Sequence, residues 1–277
     1  MYAAASGMAA QQTNLEVIAD NLANADVAGF KQVVATFTDV NAGGSLGLGT
    51  ATSGKHPIFA QGKLMHSGGP FDIAIDGEGF FRVERSGKHA YTRNGEFTRA
   101  ADGTLRNADG WALRDVRIPA DAVAVHVAAD GAVTVDTNAV TGRSIGRIRL
   151  ATFAAPEQLQ PLGGTVFAAT PDSGPERRLD AGHTGQPTIA FGMLERSNVS
   201  IVESMMQILT AQRAYEANAK GVQAADEMQR IGLKIKIRII RSYLLCFSEL
   251  LFAPLARDST LCALKKRAIR VCVQDSN

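Results

Sequence analysis

The chain has 277 residues, of which 45% are apolar and 20% charged, with a formal net charge of +2. That is enough apolar material to bury a core in one large or two small domains, which excludes a chain disordered by composition. Nine basic and three acidic residues after Gly232 leave 20 basic and 24 acidic residues before it, so the main body is mildly acidic and does not read as a nucleic-acid surface.

The three cysteines, Cys246, Cys262 and Cys272, all lie in the tail, at spacings that fit no metal or redox motif. A body free of cysteine suits a protein that crosses an oxidising compartment. The N-terminus lacks a basic n-region, and Gln11, Gln12 and Asn14 interrupt its apolar run, so no cleavable signal peptide is read. No run of about 18 apolar residues exists to make a transmembrane helix. The 27 glycines, set against one tryptophan, point to many turns and hence to β structure.

In chain order, residues 1–25 predict an amphipathic helix. Met8, Leu15 and Leu22 fall seven apart, with Gln11, Ile18 and Ala25 in the gaps. This is the spacing of a coiled-coil seam, and a terminal helix of about 20 residues needs a partner to be stable. Asn24 and the Ala25–Gly29 segment end it, with Gly29 free to take a positive φ. Val33 to Val40 is a short β-prone run. Residues 41–54 are rich in Gly, Ser and Thr and read as a flexible connection or exposed loop.

Residues 71–153 read as β-rich. Phe71, Ile73 and Ile75 alternate with polar or small residues, the period of a half-buried strand. The pairs Asp76-Gly77, Asn94-Gly95, Asp102-Gly103, Asp109-Gly110 and Asp130-Gly131 supply the positive φ of tight hairpins. Strands are expected at Phe80–Val83, Ala90–Thr92, Val123–Val127, Val133–Val135 and Ile145–Phe153. Five prolines in 154–190 disfavour long helices there and leave loops and short strands.

Residues 197–231 predict the second long helix, with Ser197 or Asn198 as N-cap and Glu203 in the early turns. Ile201, Met205, Ile208, Gln212, Tyr215, Ala219 and Val222 repeat the coiled-coil spacing, with a polar interruption at Gln212. The fold class is therefore α+β: an antiparallel β-rich central domain between N- and C-terminal coiled-coil-type helices. These helices are expected to pair with each other or with neighbouring chains.

Three separated stretches carry a family resemblance. Asn21-Leu22-Ala23-Asn24 followed by Gly29-Phe30-Lys31 resembles the N-terminal motif of the flagellar basal-body rod and hook proteins. The β region from Ile73 to Leu113 resembles that family's β region. Ser197-Asn198-Val199 with Gln212-Arg213-Ala214-Tyr215-Glu216 resembles its closing helix. The wording is most similar to the distal rod branch, with the proximal rod branch as runner-up. The resemblance covers about residues 1–231.

The resemblance implies a structural subunit that polymerises into a stiff axial shaft and transmits torque from motor to hook. It implies residues 1–31 and 191–232 as the rod core, 32–70 as a linker or extended segment, and 71–190 as an outer β domain. The implied assembly interface is Met8, Gln11, Leu15, Ile18, Asn21, Leu22, Asn24, Gly29, Phe30 and Lys31 with Ile201, Met205, Ile208, Gln212, Arg213, Tyr215, Glu216, Ala219 and Val222. The implied partners are copies of the chain in a helical polymer, other rod proteins, the hook protein, the flagellar export apparatus and the surrounding basal-body rings. The implied place is the rod crossing the periplasm, reached without a cleaved signal peptide. No cofactor, nucleic acid or small-molecule substrate is implied.

Residues 233–277 do not match the family. Charge, cysteine usage and hydropathy shift together there, which reads as a readthrough, a shifted frame or a fusion, with an added membrane-surface segment as the rarer reading. The competing functional class is a β-rich adhesin or glycan-binding module with helical oligomerisation arms. An enzyme, such as a peptidoglycan hydrolase, would need a constellation that is not evident. His56, His66, His89, His126 and His183 form no metal-ligand spacing, Asp76-Gly77-Glu78-Gly79 reads as a turn, and Gly43–Gly49 lacks the Gly-Lys-Ser/Thr of a phosphate loop.

Overall fold

The computed structural model describes residues 2–40, 49–138, 140–182 and 185–251, with side chains between 3 and 241 of these. Most of the 41–54 loop reading, His183 and the tail from residue 252, with Cys262 and Cys272, lie outside the described residues.

Helix α1 (Tyr2–Ala23) opens the chain and α2 (Ile201–Leu251) closes the described part. Between them, β1 (Val33–Asp39) and β2 (Thr50–Pro57) form an antiparallel hairpin, followed by β3 (Leu64–His66) and β4 (Ile73–Asp76). Then come β5 (Phe80–Arg85), β6 (Lys88–Thr92), β7 (Thr98–Arg99), β8 (Thr104–Arg106) and β9 (Ala112–Arg117). They are followed by β10 (Ala122–Val127), β11 (Ala132–Thr137) and β12 (Arg143–Arg147), and by β13 (Leu150–Thr152), β14 (Gln160–Gly163) and β15 (Val166–Ala168). Short strands β16 (Arg177–Leu179), β17 (Thr188–Phe191) and β18 (Met193–Glu195) lead back to α2.

A nine-stranded antiparallel sheet is the centre of the β domain, in the order β14-β15-β6-β5-β9-β8-β7 with β13 and β16 branching off β5. Strand β5 is its axis, because Phe80 and Phe81 point to opposite faces. Phe81 and Val83 join Trp111, Leu113, Ile118, Val133 and Leu150 in the larger core. Phe80 joins Tyr91, Phe153, Leu159 and Phe167 in a smaller one. A separate three-stranded sheet, β10-β11-β12, contributes Val133 to the larger core. The α+β class and the antiparallel β centre are thus as the sequence implies.

Several local expectations change. Asp102-Gly103, Asp109-Gly110 and Asp130-Gly131 do turn the β7–β8, β8–β9 and β10–β11 hairpins, with glycine φ of 80°, 79° and 82°. Asp76-Gly77 turns no hairpin, because β4 pairs with β17 and β5 with β6. Gly95 needs no positive φ; a Cβ there would meet the Ile73 carbonyl oxygen at 1.5 Å, so close approach requires it. The 145–153 run splits between β12 and β13, which belong to different sheets. In 41–54, residues 50–54 are strand rather than loop, because hydrogen bonding to β1 compensates for weak side-chain preference.

Helix α2 also differs. It starts at Ile201, and the Ser200 hydroxyl accepts from the Glu203 N–H (3.4 Å), so Ser200 occupies the capping place expected of Ser197 or Asn198. It runs past residue 231 to Leu251, since 233–251 contains neither Gly nor Pro to stop it. No described helix is long and apolar enough to cross a membrane.

Candidate assembly interface

The two terminal helices pack against each other within the chain, and the β1–β2 hairpin packs on α1. Of the seam expected at Met8, Gln11, Leu15, Ile18, Leu22 and Ala25, Ile18 and Ala25 are buried, whereas Ile201, Met205, Ile208, Gln212, Tyr215, Ala219 and Val222 on the other helix are half-buried or exposed. On α1 the buried residues are Ala10, Val17, Ile18, Asn21 and Ala25; on α2 they are Ser204 and Ala211. On α2 the contact is rotated by one residue from the seam, to Ser204 and Ala211 beside Met205 and Gln212, while on α1 it keeps Ile18 and Ala25. Two physical causes account for it. Helix α1 must bury area against the hairpin as well as α2, and small side chains let the two helices approach closely. Gly7 shows the closeness: a Cβ there would lie 3.2 Å from the Asn218 amide nitrogen.

This rotation leaves apolar side chains of α2 uncovered. Ile201, Val202, Met205, Met206 and Leu209 are 43–71% exposed, and Tyr215 is 41% exposed. Gln212, Arg213 and Glu216 are exposed, while Ile208, Ala219 and Val222 are half-buried. On α1, Met8, Gln11, Leu15 and Leu22 are half-buried. An open groove of about 600 Å³ lies where α1, α2 and β1 meet, lined by Asn14, Val17, Val34, Met206, Thr210 and Ala211. Contiguous exposed apolar surface of this kind marks a contact site.

The N-terminal motif residues are employed inside the chain. Asn21 is 2% exposed. Its amide Nδ2 donates to the Val33 carbonyl (2.7 Å), and its Oδ1 accepts from the Val33 N–H (2.8 Å). One side chain therefore pins the end of α1 to the first residue of β1. Asn24 donates to the Asp20 carbonyl (2.8 Å), closing the last helical turn. Gly29 adopts φ +68°, and a Cβ there would meet the Asn94 nitrogen at 2.3 Å. Glycine alone satisfies both demands. Phe30 is half-buried beside it.

Lys31 is fully buried. Its Nζ lies 2.6 Å from Glu195 Oε1 and also donates to the Ala60 carbonyl (2.8 Å). The same Glu195 Oε1 accepts from the Gly62 N–H (2.8 Å), and Oε2 faces Arg93 Nη1 at 3.4 Å. The Glu195 main-chain carbonyl accepts from the Gly29 N–H (2.7 Å). Burial pushes the Lys31 ammonium below its ordinary value, with the Glu195 carboxylate pulling the other way. Arg93 Nη2 donates to the Gly77 carbonyl (2.9 Å), and its guanidinium lies over the Phe80 ring at 5.5 Å. Neither Glu195 nor Arg93 stands out in the sequence. The available signal is Lys31 itself: a lysine this deep needs a carboxylate.

Asn198, expected as a cap, instead joins three segments. Its Oδ1 accepts from the Gln32 N–H (2.7 Å), while Nδ2 donates to the carbonyls of Ile58 (2.9 Å) and Ala60 (3.2 Å). Among the described residues, no group of three or more His, Cys, Asp or Glu side chains could hold a metal ion.

This architecture has clear relatives. Residues 1–31 match the family model of the flagella basal body rod protein, 74–135 that of the flagellar hook protein FlgE/F/G D1 domain, and 191–235 that of the flagellar basal body rod FlgEFG protein C-terminal region. The chain is 38% identical over 256 residues to the flagellar basal-body rod protein FlgG of Agrobacterium fabrum, covering 83% of this chain and 97% of that protein. The chain belongs to the flagellar basal-body rod protein family.

Within the rod family, FlgG of Borreliella burgdorferi is 33% identical over 259 residues, covering 85% of this chain and 98% of the relative. FlgF of Caulobacter vibrioides is 31% identical over 249 residues, covering 84% and 96%. The likeness to FlgG is the stronger, and these relatives give no support to the glycan-binding alternative. The three family models together end at residue 235, so α2 continues beyond the part that they match.

Proposed function

We propose that the chain is a structural subunit of the flagellar basal-body rod, polymerising into a stiff axial shaft that carries torque from motor to hook. The observation that carries this reading is the uncovered apolar surface of α2 at Ile201–Leu209 on a chain of the rod family. The monomer has no use for it, whereas a subunit repeated head to tail buries it in each neighbour. The rod family is structural, and the chain is not an enzyme.

The assembly interface then includes Met8, Gln11, Leu15, Leu22, Asn24 and Phe30 at the N-terminal end and Ile201, Met205, Ile208, Gln212, Arg213, Tyr215, Glu216, Ala219 and Val222 on α2, the residues that internal packing leaves partly or wholly accessible. Ile18, Asn21, Gly29 and Lys31 support it from behind by fixing how α1, the hairpin and the β domain are joined. The division into a rod core (1–31 and 191–232), an extended segment (32–70) and an outer domain (71–190) follows the same reading. So do the distal position, the contacts with other rod proteins, hook protein and surrounding rings, and delivery by the flagellar export apparatus.

The test is assembly. Purified chain should form elongated polymers visible by electron microscopy and restore swimming to a strain lacking its own distal rod protein. The Met205→Asp/Leu209→Asp double variant should do neither while keeping its β-domain fold. Normal polymers and swimming from that variant would remove α2 from the interface.

A further inference from the structure

Among the described residues, the chain passes between its helical part and its β domain at 58–72 and at 190–200. The two passages pair as a narrow ribbon, β3 against β18, which runs on into β4 against β17 in the core of the β domain. Further bonds from the Arg196 N–H to the Lys63 carbonyl (2.9 Å) and from the Gly192 N–H to the Asp72 carbonyl (2.8 Å) hold it together. A two-stranded ribbon by itself twists and bends easily.

One side chain lies where this ribbon leaves the helical part. Glu195 ends β18, and its carboxylate meets Lys31 from the segment after α1, the Gly62 N–H from the other ribbon strand, and Arg93 from the β domain. Arg93 in turn is anchored to the Gly77 carbonyl and the Phe80 ring. Lys31 is anchored to the Ala60 carbonyl. Each arm of the triad therefore ends in a different part of the molecule, and all three charged side chains are almost wholly buried. A buried charge pair tolerates little displacement, because any opening leaves charge without a partner away from water.

We propose that Glu195 is the positioning residue of this junction: through Lys31 and Arg93 it stiffens the ribbon and sets the angle at which the β domain stands on the helical part. This deepens the rod reading, since a shaft that carries torque needs each subunit to resist bending at its own junction.

The test measures the junction on the full-length chain, independently of polymerisation. Cys246, Cys262 and Cys272 are replaced by serine, and spin labels are placed at Thr38→Cys on the hairpin and Val123→Cys on the β domain. The unsubstituted junction should give one narrow distance distribution. Glu195→Gln, which keeps the shape and removes the charge, should broaden it and shift its mean well below the unfolding temperature. Trp111 fluorescence should stay unchanged, which a general loss of structure would not allow. Arg93→Gln should do the same while leaving the Lys31–Glu195 pair intact, and it decides alone if Glu195→Gln does not fold. A distribution that is broad from the start, or one that a folded substitution leaves unaltered, overturns the proposal. A chain that shows the broadening yet builds no rod would keep this inference and sink the function proposed above.

Discussion

Lys31 Nζ and Glu195 Oε1 are 2.6 Å apart across 164 residues of chain, and neither side chain touches solvent. Deleting the acid should hurt more than deleting the base. Glu195→Ala leaves two buried cations facing one another, a loss expected at about 3–5 kcal/mol. Lys31→Met leaves Glu195 still bound to Arg93 and the Gly62 N–H, so its cost should be clearly smaller. Urea denaturation of the two variants gives the order directly; a larger loss in Lys31→Met would show that the triad is not centred on Glu195.

Asn21 satisfies both main-chain groups of Val33. Asn21→Asp can still accept from the N–H but has no donor for the carbonyl, whereas Asn21→Leu serves neither group. Each stranded group costs about 1–3 kcal/mol where water cannot reach. The expected order of stability is therefore wild type, Asp, Leu, and protease cleavage between α1 and β1 should accelerate in the same order. Equal stability of the two variants would contradict the two-bond arrangement.

Gly29→Ala should be among the most costly single-methyl additions in the chain. The new Cβ would press on the backbone of Arg93 and Asn94, and alanine resists φ +68°. Thermal unfolding is the measurement. Gly87→Ala, also at positive φ but with open space around it, isolates the backbone term; the Gly29 variant should melt lower than the Gly87 variant.

Tyr91 should ionise well above the ordinary tyrosine range. Burial first, and then its hydrogen bond to Glu176 Oε2 (2.9 Å) and the nearby charge of that carboxylate, push its hydroxyl up to about 12. A folded value above the unfolded one means a stabilising contribution that is complete below pH ~10 and lost as pH rises through the folded value. Tyrosinate absorbance should show a late step that Tyr91→Phe removes, and wild-type stability should fall more steeply than the variant's in that range. The Lys31 shift runs the other way, because its folded value is lowered and high pH relieves the cost of its burial; comparison with Tyr91→Phe cancels it.

Much of the scaffold can be read from local chemistry. The Asp-Gly pairs at 102–103, 109–110 and 130–131 turn hairpins because only local φ is at stake. The two long helices follow from their apolar spacing. Which face each helix buries does not, because it depends on third parties: α1 turns toward a hairpin whose second strand hides in a Gly- and Thr-rich stretch. That strand is held by its partner, and no property of Thr50–Gly54 announces it. The junction was half legible. Asn21, Gly29 and Lys31 stand in a recognisable motif, but Glu195 and Arg93 look like any surface charge until the chain is folded.

The junction has a kinetic consequence. Lys31 and Arg93 emerge early along the chain, and Glu195 only after the whole β domain. Closing a flexible loop of 164 residues would cost about 4.5 kcal/mol of chain entropy, and hairpins formed in between lower that cost. A chain arriving N-terminus first can therefore complete its hairpins one by one, yet two buried cations wait without their acid until residue 195 is present. Joining the helical part to the β domain is thus a late folding step, and a subunit supplied as a growing thread stays pliant until nearly all of it has arrived.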